Sequence, residues 1–283
     1  METSGGYSNY NALQVDFRQK PWHGMQFDAN YTWAHTLGLS TQNDWEGLLD
    51  NAETLRNLHL SYGPTLYDLR HTVNINGTYD LPFGKGKAFL NHGGLVDRVV
   101  GGWTVGTIFT FNSGSPFQLF GENSTYNFAH NYNLGDSGVD LVGLTRSQLQ
   151  SAVGVFENFT PRNSTTPVFN PSILNSVTGG ANGSLMVPNT SPGTLAPQIW
   201  LHGPHYFNDD LAVTKSVVIR ENMRFSLQGE FLNVLNHPTF GTPDSGVQDS
   251  GFGTVGGPNN SVFSPNGSPL FQRVLELRAN LSF

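Results

Sequence analysis

The apolar residues of this chain recur at every second position in several separate segments. From Met25 to Trp33 the odd-numbered residues are apolar and the even-numbered residues are polar. A helix would spread such residues around its circumference, whereas a β-strand places them on opposite faces. The pattern predicts about seven strands. They contain the segments 13–17, 25–33, 73–81, 103–111, 211–219, 225–231 and 275–283, with Ile108 interrupting a polar face and Lys215 an apolar one.

The polar positions and the strand length favour a membrane barrel over a soluble β-sandwich. A soluble sandwich commonly faces water with Lys, Glu and Thr, whereas the polar positions here hold Gln, Asn, Asp, Arg and Ser, as in a wet barrel lumen. We estimate about 10 to 13 residues per strand, longer than the usual five or six and sufficient for the roughly 9 to 11 that cross a bilayer. One face of each strand is therefore expected to contact lipid.

The connections between these strands alternate in length. Short links at 20–24 and 220–222 alternate with long ones at about 36–68, 113–206 and 237–269, and the link at 82–100 is intermediate. Outer-membrane barrels have short periplasmic turns and long extracellular loops. We therefore predict an all-β fold, a single partial domain over 1–283. It is an antiparallel up-and-down transmembrane β-barrel segment of about seven long strands with long extracellular loops.

Composition supports this interpretation and excludes several protein classes. Charged residues make up 12% of the chain, about half the share in soluble domains, but aromatic residues also reach 12%, which argues against disorder. The net charge of −7 and the lack of a dense basic run argue against nucleic-acid binding. The absence of cysteine excludes disulfides and thiol nucleophiles.

An outer-membrane protein must be exported, yet no export signal is visible. The first thirty residues lack a basic start followed by an apolar stretch, and no run of 18 apolar residues predicts a transmembrane helix. We therefore expect the natural N-terminus to lie upstream of Met1.

Several segments resemble a known family. They are SNYNALQV at 8–15, GMQFDANYTWAHT at 24–36, LRHTVNINGTYDLPFGKGKAFL at 69–90, GGWTVGTIFTFNSGSPF at 101–117, GEFLNVLNHPTFGTP at 229–243 and LELRANLSF at the end. Together they resemble the C-terminal barrel of TonB-dependent receptors of the Oar-like type, which carry a carboxypeptidase-regulatory-like N-terminal domain. The resemblance covers nearly all the strands, and the stretch 121–204 carries little of it.

The resemblance implies a larger protein and a set of partners. Family members have a signal peptide, a TonB box, a plug domain and a barrel of about 22 strands, so this chain is expected to be a fragment that lacks the plug. The implied partners are outer-membrane lipid, the missing barrel and plug, the TonB complex through that missing part, the barrel-assembly machinery and an unidentified bulky solute. The resemblance also makes the terminal residues Leu277, Ala279, Leu281 and Phe283 look like the signal read by that machinery.

Charged and amide side chains on the polar positions are the candidate functional residues. The predicted lumen-facing side chains are Asp16, Arg18, Asp28, Arg224, Gln228, Glu230, Glu276 and Arg278. They could contact a solute or the plug, or could pair with one another across strands in a wet interior. Trp22, Trp33, Tyr79 and Trp103 are expected in the aromatic girdles at the two membrane interfaces.

Other motifs in the chain are interpreted as structural. Residues 251–256 match G-x-G-x-x-G but lack the flanking strand and helix of a dinucleotide site, so a flexible loop is expected. His202 and His205 near 209–210 lack a helix that would align them for a metal. The acidic residues of 44–50 lack the glycine spacing of a calcium loop.

The remaining histidines are also given a structural interpretation. His23, His35, His71 and His237 lie near predicted strand ends, where the membrane interface favours their rings. We therefore predict no enzyme activity, no cofactor and no metal.

Three functional hypotheses remain. The leading one is a TonB-dependent receptor or transporter in the outer membrane of a Gram-negative-type bacterium, of which this chain forms the last strands. The second is an outer-membrane adhesin or surface-recognition protein that acts through its long loops. The third is a secreted soluble β-domain that binds carbohydrate or hydrolyses it.

Overall fold

A computed structural model of the protein describes residues 6–39, 57, 59, 62–121, 138–156, 166–191, 198–220, 223–255, 262–263, 269–270 and 273–283. In chain order its elements are β1 Ser8–Trp22, β2 Met25–Leu39, β3 Tyr62–Pro64, β4 His71–Asp80, α1 Leu95–Val100, β5 Trp103–Asn112, β6 Pro116–Gln118, β7 Val139–Leu141, α2 Arg146–Ser151, β8 Thr166–Pro167, a 3-10 helix Pro171–Ile173, β9 Met186–Pro188, β10 Trp200–His202, β11 Tyr206–Arg220, β12 Met223–Leu232, β13 Thr254–Val255, β14 Val262–Phe263, β15 Pro269–Leu270 and β16 Val274–Ser282. No helix among these residues is long and apolar enough to cross a bilayer.

The seven predicted strands form one antiparallel sheet. Its order, β1-β2-β4-β5-β11-β12-β16, follows the chain, and β3 adds a short pairing to the end of β2. This up-and-down order confirms the predicted antiparallel, all-β fold. Strand β2 continues to Leu39, past the predicted start of the first long connection, because β1 and β3 both pair with its last residues.

The register places the alternating apolar residues of all seven strands on the same side. Residues directly opposite each other in an antiparallel pair share a face. One cross-strand row runs Val15, Tyr31, Val73, Phe111 and Phe207. We call this side of the sheet the apolar face and the opposite side the polar face.

The apolar face has the height expected of a lipid-facing band. Phe207 and Val217 lie on this face near the two ends of β11. The ten residue steps between them correspond to about 33 Å of strand, which at a tilt of 35–45° covers roughly 25 Å along the membrane normal. Trp33 lies near one end of the face, and Trp22, Tyr79 and Trp103 lie near the other.

The two ends of the sheet differ in their connections. The end that joins β1 to β2 and β11 to β12 has short links, and we call it the turn end. The end that carries the connections 40–70, 113–205 and 233–273 is the loop end. The segment between β4 and β5, which contains α1, lies at the turn end.

Most of the buried core lies outside the sheet. The described parts of 113–205 and 233–255 pack together, and we call them the loop unit. Two-residue strands β8 and β13 join its two halves, and the Val168 N–H donates to the Gly253 carbonyl at 2.7 Å. Its core residues are Phe117, Leu119, Val139, Leu149, Phe169, Ile173, Met186, Ile199, Leu201, Val247 and Phe252.

This core corrects the expectation for the G-x-G-x-x-G motif. Phe252 is fully buried and stacks on Phe169 with ring centroids 5.3 Å apart, and the Gly253 N–H donates to the Asp244 carbonyl. The described part of the motif is a packed turn rather than a flexible loop. Packing explains Gly253 of this motif, since a Cβ there would lie 2.7 Å from the Phe169 ring.

Candidate functional site on the polar face

The register places all eight candidate residues on the polar face. In the first group, on β1 and β2, Arg18 lies directly opposite Asp28. Its Nε donates to the Asp28 carboxylate at 2.9 Å, and its Nη2 lies 3.6 Å from the Asp16 carboxylate. Asn30 donates to the other Asp28 oxygen at 3.1 Å. These charges are therefore paired with one another, and the Arg18 side chain stays largely exposed.

A second group of charges lies on β12 and β16. Glu230 is directly opposite Glu276, and Gln228 is directly opposite Arg278. The Arg278 guanidinium reaches diagonally to the Glu230 carboxylate at 3.6 Å, and the Gln228 amide donates to the same carboxylate at 3.1 Å. These two contacts offset the repulsion between the opposed carboxylates. Arg224 lies apart, opposite Ser282 near the turn end.

One cavity of about 590 Å³ connects strands from both groups. Side chains of β1, β2, β4, β5, β11 and β12 line it, so the sheet curves around its polar face. The polar-face residues that line it are Arg18, Gln26, Asp28, Asn76, Thr78, Gly106, Ile108, Asp210, Ala212, Glu230 and Leu232. Arg18 and Asp28 from the first group and Glu230 from the second thus face the same space.

The centre of this cavity is less polar than its sides. Ile108 lies there between Asn76 and Asp210 and is 60% exposed, and Ala212 lies opposite Gly106 on the next row. The sequence marked Ile108 only as an interruption of the alternation. In the structure Ile108, Gly106 and Ala212 form the apolar floor of the cavity. The charged walls on either side of it are formed by Arg18 and Asp28 and by Asp210 and Glu230. Such a cavity can contact a solute that has both polar and apolar parts.

At the loop end, Asp210 holds the turn that follows β12. Its Oδ1 accepts hydrogen bonds from the Asn233 N–H at 2.8 Å and from the Asn208 amide at 2.9 Å. Asn233 is buried with φ of 49°, and its side chain accepts from the His237 N–H and donates to the His237 carbonyl. Residues 233–237, at the start of the NVLNHPTFG segment, therefore form a turn held by these hydrogen bonds. Burial, with a smaller contribution from nearby His205, lowers the pKa of the His237 imidazole.

A buried carboxylate, that of Asp68, joins the segments 24–36 and 69–90. Asp68 is fully buried, and its carboxylate accepts from the Thr36 N–H at 2.7 Å, from His35 Nδ1 at 3.1 Å and from Arg70 Nε at 3.2 Å. Arg70 Nη2 lies 3.3 Å from His35 Nε2 and can only donate, which places the His35 proton on Nδ1. The sequence analysis expected His35 at a membrane interface and singled out neither Asp68 nor Arg70. A signal was available, because His35 and Arg70 lie in the segments 24–36 and 69–90, which carry the family resemblance.

The other sequence candidates are not brought together. His202 Nδ1 lies 3.2 Å from the Gly114 carbonyl, whereas the His205 ring packs against Phe207 and His237. Within the described residues no group of His, Asp or Glu side chains is arranged to hold a metal ion. The acidic residues of 44–50 lie outside the described residues.

His23 and His71 lie at strand ends, as the sequence predicted. His23 follows β1 in the link to β2, and its ring meets Trp22 edge-on with centroids 4.5 Å apart. His71 begins β4, and its Nδ1 lies 2.9 Å from the Tyr31 hydroxyl.

Comparison with known proteins identifies a family. The family model described as an outer membrane beta barrel domain matches residues 1–272. Curated proteins give no match, and solved structures give none.

Proposed function

Because the chain belongs to the outer membrane beta barrel domain family, we propose that its seven long strands form part of the wall of a TonB-dependent receptor. The protein is located in the outer membrane of a Gram-negative bacterium. In this proposal the loop end faces the exterior, the apolar face contacts lipid, and the polar face lines the passage of a bulky solute. In this proposal the chain binds the solute and lets it pass without changing it chemically, and it has no enzyme activity.

The observation that carries this proposal is the cavity on the polar face. Six strands contribute to one space of about 590 Å³, and it combines charged walls with the apolar floor around Ile108. Strands β1 and β16 are not paired with each other in the described sheet. Unpaired edges are not tolerated in lipid because each unsatisfied backbone group costs several kcal/mol. Further strands would therefore complete a wider barrel. The resemblance to Oar-like receptors implies a barrel of about 22 strands in total.

The same proposal assigns the remaining partners. A plug domain and the rest of the barrel would belong to the same protein, and the TonB complex would act through that part. Leu277, Ala279 and Leu281 continue the apolar face along β16, and Phe283 is 90% exposed just beyond the strand. This terminal stripe fits recognition by the barrel-assembly machinery before the strand meets lipid.

Cysteine labelling of neighbouring positions tests the proposed passage. Asn76 lines the cavity and its neighbour Ile75 lies on the apolar face. In a cysteine-free full-length protein in living cells, Asn76→Cys should react with a membrane-impermeant thiosulfonate and Ile75→Cys should not. If the plug is controlled by TonB, the labelling rate at Asn76→Cys should fall when TonB is deleted.

Each outcome of this experiment addresses one part of the proposal. Equal labelling at both positions would contradict the assignment of the two faces. Preferential labelling of Asn76→Cys that does not depend on TonB would support a water-filled barrel and contradict TonB coupling.

A second function, surface recognition, is favoured by the packed loop unit. Its core contains eleven residues, and exposed apolar side chains such as Val142 and Val177, 65% and 90% exposed, lie on its surface. An adhesin acting through this unit would retain the same barrel. Outer-membrane location excludes the secreted soluble domain as an alternative.

Deletion of 121–204 is a poor test of surface recognition because it would expose the core residues Phe117, Leu119, Val247 and Phe252. Substitution of Val142 and Val177 by Asp keeps that core intact. Loss of cell adhesion in this variant with normal solute uptake would favour the adhesin, and unchanged adhesion would contradict it.

A further inference from the structure

The segment 81–102 at the turn end has a defined fold of its own. The Asp97 carboxylate accepts from the Lys85 N–H at 2.6 Å, and the Phe89 N–H donates to the Pro82 carbonyl at 2.9 Å. Gly84 has φ of 104°, and a Cβ there would lie 2.6 Å from the Gly101 Cα. This close approach fixes α1 relative to the strands on either side.

Two side chains of the apolar face attach α1 to that face. Trp103 Nε1 donates to the Val99 carbonyl at 3.0 Å. Lys215 lies opposite Trp103, and its Nζ donates to the Val99 carbonyl at 3.0 Å and to the Gly101 carbonyl. The ammonium also lies 5.2 Å from the Trp103 ring centre. The end of α1 therefore lies on the apolar side of β5 and β11. The Val99 and Gly101 carbonyls accept the hydrogen bonds of the Lys215 ammonium, which interrupts the apolar pattern of β11.

Several large apolar side chains of this segment are exposed. Leu95 is 79% exposed, Val99 is 69% exposed and Phe89 is 58% exposed. Leu90, Val96 and Phe83 extend the surface at 51%, 49% and 37% exposure. Apolar area in water costs about 25 cal/mol per Å², and exposed apolar side chains grouped in one segment mark contact with a membrane or a partner.

We propose that the segment 81–102 is an interfacial anchor whose apolar side chains insert into the periplasmic leaflet of the outer membrane. The patch continues the lipid-contacting apolar face through Trp103 and Lys215, which favours lipid over a protein partner. Arg98 and Lys85 are exposed in the same segment, and cations beside an inserted apolar surface attract phospholipid phosphates. The anchor depends on the membrane location of the sheet and not on transport.

Lipid contact can be measured with a fluorophore on single cysteines, since this chain has no cysteine of its own. The full-length protein, made cysteine-free and reconstituted in phosphatidylglycerol-containing vesicles, would carry bimane at Leu95→Cys. Leu227→Cys on the apolar face gives the reference for lipid contact. Lys87→Cys is the matched control, because Lys87 pairs with Asp80 on the polar face at 3.6 Å. Heat-modified gel mobility would verify that each variant is folded.

Insertion predicts a blue-shifted emission at Leu95→Cys, quenching by brominated phospholipid as at Leu227→Cys, and no quenching by aqueous iodide. Lys87→Cys should show the opposite response. Iodide quenching at Leu95→Cys equal to that at Lys87→Cys would overturn the proposal. Protection from both quenchers would also overturn it, because it would show that α1 packs against protein, such as a plug.

Discussion

The sheet and the loop unit differ in the exposure of their apolar side chains. On the sheet, Leu13 and Leu277 are 58% and 71% exposed, although both belong to the regular apolar stripe. In the loop unit, Phe169 and Leu201 are completely buried. One region relies on lipid to cover its apolar surface, and the other covers its own.

This difference separates the sources of stability in the two regions. The loop unit has a close-packed interior in which the loss of a ring leaves a cavity. The described sheet instead has an apolar face and a polar face, which we expect to contact lipid and water, so a charge should be costly on the first and tolerated on the second. Substitutions matched by size and position should reveal which medium each side chain contacts.

The largest effect is expected for Phe169→Ala in the loop unit. The Phe169 ring stacks on Phe252 and meets Phe117 edge-on, and no part of it reaches solvent. Its removal should destabilise the loop unit by about 3–5 kcal/mol. Protease treatment of intact cells should then cleave 113–205 faster, while the heat-modified gel mobility of the barrel stays unchanged. Val177→Ala, at an exposed position, is the control and should leave cleavage unchanged.

A somewhat smaller effect is expected for Leu227→Arg on the apolar face. A charge near the middle of a lipid-facing strand should cost about 2–4 kcal/mol of barrel stability. Urea unfolding of the full-length protein in vesicles measures this loss. Ser226→Arg is the control, because Ser226 is on the polar face opposite Ser216 and Asn280, and its effect should be much smaller. Equal losses would contradict the assignment of the faces.

Gln228, the other polar neighbour of Leu227, is a poorer position for this control. Gln228 lies directly opposite Arg278 and donates to Glu230. An arginine there would place two like charges in register and remove that hydrogen bond, so its effect would not report on the polar face alone.

Next in size is Asp68→Asn, at the loop end of the sheet. The amide oxygen can still accept from the Thr36 N–H, but the charge-assisted bonds to His35 and Arg70 are weakened. We expect a loss of about 1–3 kcal/mol, typical of a buried polar group with a disturbed partner. Thermal unfolding in detergent micelles measures it. Asp16→Asn, whose carboxylate is 56% exposed beside Arg18, should change stability by less than about 1 kcal/mol.

The sheet could be predicted from the sequence because its signal is local. Alternation at every second residue identifies a strand, and short links between strands imply antiparallel neighbours. These two features placed Tyr31, Ile75 and Val105 on a shared face without any knowledge of contacts between distant parts of the chain. Lys215 was correctly placed on the apolar side, but its partners on α1 depend on tertiary contacts that periodicity does not encode.

The loop unit could not be predicted in the same way. Its core residues Phe117, Val139, Phe169 and Phe252 follow no common period and come from two separate connections. The same limit applies to the candidate site. The sequence placed Arg18 and Glu230 on polar stripes, but only the curvature of the sheet brings them to one cavity with Ile108 at its floor. Whether this cavity belongs to a barrel lumen stays a prediction.

The smallest effect is expected for Arg278→Ala on the polar face, and its size reports on the medium there. In water, loss of the 3.6 Å contact with Glu230 should cost no more than about 1 kcal/mol. In a dry interior like that of the loop unit, loss of one partner would cost about 3–5 kcal/mol. Glu276→Gln should partly restore stability, since it removes the carboxylate opposite Glu230. A large loss of unfolding free energy in urea would therefore contradict a wet lumen. A small loss that Glu276→Gln partly restores would support it.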